Sequence, residues 1–400
     1  TTGRLFISVM LIVIFEGAIR KWVSSSSTLP LILLRDLLAS YLVVRALSRG
    51  HFRHQRAMLQ VMVPWSACVL GWGLLQLTLG ESTFSVLLIG LRFWLLYIWF
   101  AVAAVAGMNE RDYTAAVRVL LYTLIFMAPL GLVQRYSPPG AFINQTIDTD
   151  AEELFVVVAG VVRTTGTFSF TSGFTIFINV CAPFALGAFE ARKLRTSHRF
   201  FAMAALGALI ICTLVSGARS SFVYTGVMLG LYLLGNIVFS PMRRKGISLM
   251  TGVIALILVA GLAFVFQGTI DAIQERFDVA SQSEDISARV LSVFLGEPAV
   301  LERADWLGAG IGIGSNLAQY VQRGGRSFFY AESEAGRTLV EGGLVGAMFL
   351  FMKMIFILSG IALAVKRSMQ SRAVFPVLVW VSIAAAFLSW PVIGQLSAKG

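Results

Sequence analysis

Residues 83–106 have the sequence TFSVLLIGLRFWLLYIWFAVAAVA, and the only charged residue among them is Arg92. A helix needs about 20 predominantly apolar residues to cross the hydrocarbon core of a bilayer. The apolar side chains follow one another without the alternating polarity that is typical of membrane β-strands. The stretch therefore predicts a transmembrane α-helix.

The same pattern recurs along the whole chain. The predicted spans are 5–22, 30–47, 58–79, 83–106, 113–133, 172–190, 200–216, 220–239, 247–268, 336–364 and 373–391. We interpret the first as a retained span and not as a signal peptide, because no small-residue cleavage site follows it. The sequence predicts one all-α polytopic membrane domain over residues 1–400, with about 11–12 transmembrane helices.

The composition supports a membrane protein. Hydrophobic residues make up 57% of the chain and charged residues 13%, and the mean hydropathy is +0.80. A soluble domain carries about 25% charged residues, so soluble, disordered, collagen-like and disulfide-scaffold proteins are excluded. Cys68, Cys181 and Cys212 lie in apolar runs without disulfide or metal-ligand spacing, which indicates small core residues.

The net charge is +11. In a soluble protein this charge would suggest a nucleic-acid partner, but in a membrane protein it reflects the Lys and Arg of cytoplasmic loops. Basic clusters occupy alternate connections: 45–56, 192–199, 243–245 and 366–372. The N-terminus is therefore predicted to be cytoplasmic. Residues 134–171 are predicted to form a first outer-face segment and residues 269–335 a large outer-face loop.

Three arginines of the predicted outer face are candidate ligands for a phosphate. Arg163 begins the motif 163–168, RTTGTF, just before a span. Arg219 lies in the turn 216–221, SGARSS, and Arg289 follows an acidic stretch. A guanidinium makes two parallel hydrogen bonds to a phosphate and keeps its charge. The alternative for each is an ion pair with a loop carboxylate.

Residues 305–316 have the sequence DWLGAGIGIGSN. The alternating glycines do not indicate a dinucleotide site, because no βαβ unit surrounds them. We expect them to let the backbone approach a head group or a neighbouring helix closely.

The next span opens with Glu334, Arg337 and Glu341 at helical spacing, which predicts an intrahelical ion-pair ladder. Glu332 lies just before this ladder. A partly desolvated carboxylate near arginines at that place is a candidate general base.

Several charged residues fall inside the predicted spans. Local partners are available to four of them: Glu16 with Arg20, and Arg35 with Asp36. Arg92 and Lys353 have no partner nearby in the sequence. Each is predicted to extend to the membrane surface or to pair with a residue of another helix.

No motif for metal or ATP chemistry is present in the sequence. There is no clustered His/Cys pair and no Walker sequence, and His51, His54 and His198 all lie in predicted cytoplasmic connections. We therefore expect neither a metal nor a cofactor. Any reaction would draw its energy from an activated substrate or from a gradient.

Four motifs carry a resemblance to a known family. In order and spacing, residues 163–168, 216–220, 308–312 and 341–346 resemble the O-antigen ligase and O-antigen polymerase superfamily of bacterial envelopes, over roughly residues 110–390. The resemblance implies a GT-C-like, metal-independent, inverting glycosyltransferase in the bacterial inner (cytoplasmic) membrane, with its active site on the periplasmic face. It further implies that Arg163, Arg219 and Arg289 hold the pyrophosphate of a polyprenyl-linked glycan.

The chain departs from this family at two places. The ligases and many polymerases carry a His-Asn pair nine residues before the Glu of their Glu-x-Gly element, whereas Glu332-Ser333 stands there in this chain. The resemblance then makes Glu332 the catalytic base, with Glu334 as the near alternative. The proline that follows Phe168 in the family is replaced by Thr171-Ser172.

The predicted activity is polymerisation of undecaprenyl-pyrophosphate-linked repeat units into O-antigen or exopolysaccharide. The predicted partners are the lipid-linked donor, a glycan acceptor, the bilayer, and a chain-length regulator or flippase, with no nucleic acid. Ligase-type transfer to a lipid or protein acceptor is one alternative. A transporter is another, suggested by Arg92 and Lys353, although no inverted repeat is visible. A non-catalytic scaffold is the third.

Overall fold

The computed structural model describes residues 1–145, 157–158, 161–188, 196–239, 286–302, 304–315, 318 and 333–389, with isolated positions between 246 and 261. The first part contains α1 (Thr2–Trp22), α2 (Thr28–Ser48), α3 (Arg56–Thr78), α4 (Phe84–Leu91), a π-helical turn (Arg92–Leu96), α5 (Tyr97–Gly107) and α6 (Glu110–Tyr136). Short 3-10 turns lie at Ser25–Ser27, His51–His54 and Phe142–Asn144.

Downstream, two-residue strands β1 (Val157–Val158) and β2 (Val161–Val162) pair antiparallel. The helices that follow are α7 (Thr171–Gly187), α8 (Thr196–Val215), α9 (Arg219–Phe239), α10 (Ile286–Leu295), α11 (Pro298–Leu301), α12 (Glu334–Ser371) and α13 (Phe375–Ser389). Eight helical stretches of the described chain are long and apolar enough to cross a membrane, and α7 and α13 are shorter apolar helices. The prediction of a helical, polytopic membrane protein is confirmed to this extent.

The predicted spans coincide with these helices, apart from 247–268, which falls almost entirely outside the described residues. Most boundaries differ by a few residues, but α12 continues to Ser371, so the connection predicted at 366–372 lies almost entirely within this helix. The segment predicted as 134–171 begins inside α6, which continues to Tyr136. The start of α6 is set by a capping box, because the Asn109 side chain accepts from the Asp112 amide while the Asp112 carboxylate accepts from the Asn109 amide.

The largest apolar core lies where α6, α7, α8, α9 and α13 meet, with α1 at its edge. Phe174, Ile178 and Cys181 of α7 are fully buried at its centre. Cys181 and Cys212 are free thiols within this core, as their apolar surroundings in the sequence predict. The predicted role of these two cysteines as small core residues is confirmed.

Two helices that the sequence predicts to be continuous are interrupted. A π-helical turn at Arg92–Leu96 separates α4 from α5. In α12, Gly343 has φ 51° and ψ −121°, which breaks the helix. The break has a tertiary cause, because the Leu344 amide donates to the carbonyl of Trp306 at 2.8 Å instead of continuing the helical pattern.

Residues 306–315, here called the glycine loop, cause this break by docking on the helices. The Gln76 side chain of α3 donates to the carbonyls of Leu307 (2.7 Å) and Glu341 (2.8 Å), and accepts from the amide of Ile311 (2.9 Å). Gly308, Gly310 and Gly312 all have positive φ. The glycines thus permit close approach to neighbouring helices, which was one of the two expectations for them.

The tightness of this docking can be tested at Gly90 of α4. A Cβ at Gly90 would collide with the backbone of Ile311, whereas a Cβ at Gly71 of α3 would meet nothing within 4 Å. We expect Gly90→Ala to destabilise the protein by about 1–3 kcal/mol. Gly71→Ala should be neutral or stabilising, because alanine is the better helix former. Thermal unfolding in detergent measures both, and equal midpoints for the two variants would contradict the docking.

Candidate functional site

The motif that begins with Arg163 is inserted between helices. Thr164 donates to the carbonyl of Val215 at the end of α8 (3.1 Å), and Thr167 donates to the carbonyl of Ile14 in α1 (2.5 Å). Both threonines are buried. A polar segment in this position needs partners for its backbone and side chains, and the surrounding helices supply them.

Gly166 is the centre of this arrangement. Its amide donates to Gln134 Oε1 of α6 (2.8 Å), and its carbonyl accepts from Lys21 Nζ of α1 (2.9 Å) and from Gln134 Nε2 (3.1 Å). Lys21 also donates to Thr165 Oγ1 at 2.8 Å. These hydrogen bonds hold the backbone after Arg163 in place, and they thereby position the Cα atom of Arg163.

The turn that carries Arg219 lies directly beside Arg163. Gly217 has φ 61°, and a Cβ there would lie 3.6 Å from Cγ of Arg163. Arg219 is the first residue of α9. The structure thus brings together two arginine-bearing segments that are separated by more than 50 residues in the sequence.

A cavity of about 230 Å³ opens next to Arg163, between α7, α9 and α13. Its polar lining consists of Arg163, Ser172, Thr175, Asn179, Ser220, Tyr224 and Ser382. Arg163 is the only charged residue among the described lining residues. Arg219 does not line the cavity, although its neighbours Ala218 and Ser220 do.

Two helices start at this cavity. The first residues of α7 and α9 lie beside it, and Ser172 and Ser220 are both in the first turn of their helices. The N-terminal ends of helices carry a partial positive charge and unsatisfied amides. Together with Arg163, they make the cavity suited to an anion such as a phosphate.

Arg289 lies in α10, and its side chain is outside the described part of the structure. The helix itself packs against α12 and α13. Since α13 contributes Ser382 to the cavity, the helix of Arg289 is next to one wall of the candidate site. Whether the guanidinium reaches the anion stays a prediction.

Of the two predicted bases, Glu332 lies outside the described residues. Glu334 is the first residue of α12, and its Oε2 is 3.9 Å from an Nη atom of Arg337. Oε2 is buried and has no hydrogen-bond partner among the residues that the structure describes. Glu334 does not line the Arg163 cavity.

The predicted ladder on α12 is confirmed at Arg337 and Glu341. Arg337 donates to the Glu341 carboxylate through Nε (2.7 Å) and Nη2 (3.0 Å), and the same carboxylate accepts from Trp94 Nε1 (2.8 Å) and the Gly314 amide (2.9 Å). Glu341 is fully buried. With all four donors in place it has a structural role, since it joins the glycine loop to α12 and to the π-helical turn.

The charges inside the spans form a second network. Glu16 pairs with both Arg20 and Arg35, the latter at 2.9 Å. Asp36 is 2.6 Å from Arg92 Nε and accepts from the Tyr97 hydroxyl at 2.5 Å. Of the two predictions for Arg92, pairing between helices is therefore the one confirmed.

Sequence reasoning missed the polar residues of α7. Ser172, Thr175 and Asn179 are spaced three and four residues apart, which places them on one face of an otherwise apolar helix. This spacing was a usable signal for a cavity-facing stripe. Tyr224 follows Ser220 by four residues in α9 and repeats this signal, whereas Ser382 stands alone among apolar neighbours in its own helix.

Comparisons with known proteins add no family assignment. No protein-family model, no curated protein and no solved structure matches the chain.

Proposed function

We propose that the chain is a membrane glycosyltransferase with a GT-C-like fold that polymerises polyprenyl-pyrophosphate-linked repeat units on the outer, periplasmic face of the bacterial inner membrane. The observation that carries the proposal is the polar cavity beside Arg163 in a membrane-type helical bundle, with the Arg219 turn packed against it. A lipid-linked donor needs an anion site within the helical bundle for its pyrophosphate.

In the proposed reaction, the acceptor hydroxyl attacks the anomeric carbon of the donor sugar. The bond from that carbon to the pyrophosphate oxygen breaks, and the polyprenyl pyrophosphate leaves with the bonding electrons. Arg163, Arg219 and Arg289 stabilise the developing negative charge. Glu332 or Glu334 takes the proton of the hydroxyl, a step that is typically worth about 10²–10⁴ in rate.

The uncharged polar residues of the cavity lining support the proposal that a sugar binds next to the phosphate. Ser172, Thr175 and Asn179 offer hydroxyl and amide groups along α7. The buried Oδ1 of Asn179 has no hydrogen-bond partner within the described residues, so it is available to a sugar hydroxyl. Ligase-type transfer to a lipid or protein acceptor would use the same donor site. It differs only in the acceptor.

Transport has less support. Of the two intramembrane cations that suggest it, Arg92 is 2.6 Å from the Asp36 carboxylate. A cation neutralised in this way is typical of a structural pair inside a bundle.

The direct test is turnover by the purified full chain in detergent, with a lipid-linked oligosaccharide, a chelator and no ion gradient. We expect a ladder of products that each differ by one repeat unit. A single product on an added lipid or protein acceptor would indicate a ligase. If no product forms and vesicles instead show gradient-driven uptake, the proposal is contradicted.

A further inference from the structure

A second cavity, of about 350 Å³, lies at the connection between α2 and α3. Its lining is Leu47, Ser48, Arg49, Gly50, Phe52, Arg53 and Leu59. It is far from the Arg163 cavity, because Lys21 at the end of α1 contacts Thr165 beside Arg163, and α2 begins just after α1 on that side. The C-terminal end of α2, where the second cavity lies, is therefore at the opposite end of the bundle.

The two arginines of this cavity lack acidic partners. No Asp or Glu occurs in the sequence between Asp36 and Glu81. Among the described residues, neither Arg49 nor Arg53 makes a side-chain hydrogen bond or an ion pair. Both side chains are exposed, so each can turn its guanidinium toward an anion that enters the cavity.

The backbone holds the two arginines on one side of a rigid turn. Gly50 has φ 67°, a left-handed conformation that reverses the chain after α2. A Cβ on Gly50 would lie 3.1 Å from Nε of Arg53, so the Arg53 side chain folds back over this glycine. Phe52 forms a buried wall, packed edge to face on Trp99 with 5.9 Å between ring centroids.

Besides the arginines, Ser48 and the buried Phe52, the lining contains two leucines of the flanking helices. Leu47 is 54% exposed at the end of a predicted transmembrane helix, and Leu59 is half-buried in the first turns of α3. The cavity has two cations at the predicted membrane surface, which can bind the phosphate of a phospholipid. The leucines along the helices below them can contact its acyl chain. A free phosphate would use the arginines alone.

We infer that this cavity binds one anionic phospholipid, with its phosphate between Arg49 and Arg53 and an acyl chain along Leu47 and Leu59. The bound lipid belongs to the leaflet that the charge distribution predicts to be cytoplasmic. The site is separate from the proposed donor site and does not depend on the proposed reaction.

Native mass spectrometry of the detergent-purified full chain, titrated with phosphatidylglycerol, tests this inference. The double variant Arg49→Gln/Arg53→Gln should lose about 20-fold or more in affinity, since each cation near an anionic lipid surface contributes about fivefold. The matched control is Arg56→Gln, an exposed arginine at the start of α3 that does not line the cavity. This control should bind within about twofold of the unmodified protein.

Three outcomes would overturn the inference. An equal loss in Arg56→Gln would mean diffuse charge attraction without a site. Equal binding of phosphatidylcholine would show that the site does not recognise the negative charge of the lipid. Inorganic phosphate that binds as tightly as the lipid would assign the site to a soluble anion. If the double variant does not fold, the single variants Arg49→Gln and Arg53→Gln should each lose about fivefold in affinity, and a loss no larger than that of Arg56→Gln would overturn the inference.

Discussion

Glu341→Leu is expected to leave little folded protein in the membrane. The change deletes a fully buried carboxylate that accepts four hydrogen bonds, and it leaves the Arg337 guanidinium buried beside a leucine. Removing one partner of a buried ion pair typically costs about 3–5 kcal/mol. The Trp94 indole and the Gly314 amide lose their acceptor as well, so the expected cost is at the upper end of this range.

Two further variants make this expectation specific. The double variant Arg337→Met/Glu341→Leu removes both charges and should recover much of the lost stability, with two unpaired N–H groups remaining. Glu334→Leu removes the other carboxylate of the same helix end. It should cost much less stability, because Glu334 comes no closer to Arg337 than 3.9 Å. Size-exclusion profiles and unfolding midpoints in detergent measure all three. If the Glu341→Leu variant has the same unfolding midpoint as the unmodified protein, the structural role of Glu341 is contradicted.

Arg163→Lys is expected to reduce glycosyl transfer by about 100- to 1,000-fold while the protein stays folded. Lysine keeps the positive charge but cannot make two parallel hydrogen bonds to a phosphate. Loss of one preorganised group that stabilises transition-state charge typically costs a factor of this size. The side chain lines a cavity and contacts the Gly217 turn, so the shorter lysine fits the same space.

The initial rate of repeat-unit transfer by the purified protein measures this effect. Arg118→Lys is the matched control, since Arg118 is exposed on α6 and does not line the cavity. It should keep the full rate. An Arg163→Lys rate within twofold of the unmodified protein would exclude Arg163 as the ligand of the leaving group, even if the protein proves to be a transferase.

Local patterns predicted the parts of the structure that depend on neighbours in sequence. The spans follow from the length of the apolar runs, and the Arg337–Glu341 pair follows from a four-residue spacing. The break at Gly343 could not be predicted in this way, because it depends on the carbonyl of Trp306 in another segment. The contact between Arg92 and Asp36 joins two helices and likewise has no local signal.

The candidate site was predicted in part. The meeting of the Arg163 and Arg219 segments was expected, and the polar stripe of Ser172, Thr175 and Asn179 was present in the sequence but not used. The assignments of Glu332 and of the Arg289 side chain concern positions outside the described residues, so they stay predictions.

The bonds of Gln76 have a consequence for the order of biosynthesis. Gln76 and the Glu341 carbonyl that it contacts are 265 residues apart in the chain. At about 5–20 residues per second, a ribosome needs roughly 13–53 s to make the intervening chain. During this interval the amide of a nascent, already inserted α3 lacks its final acceptors in the lipid. The final hydrogen bonds of Gln76 therefore form only after the C-terminal half of the chain has been synthesised.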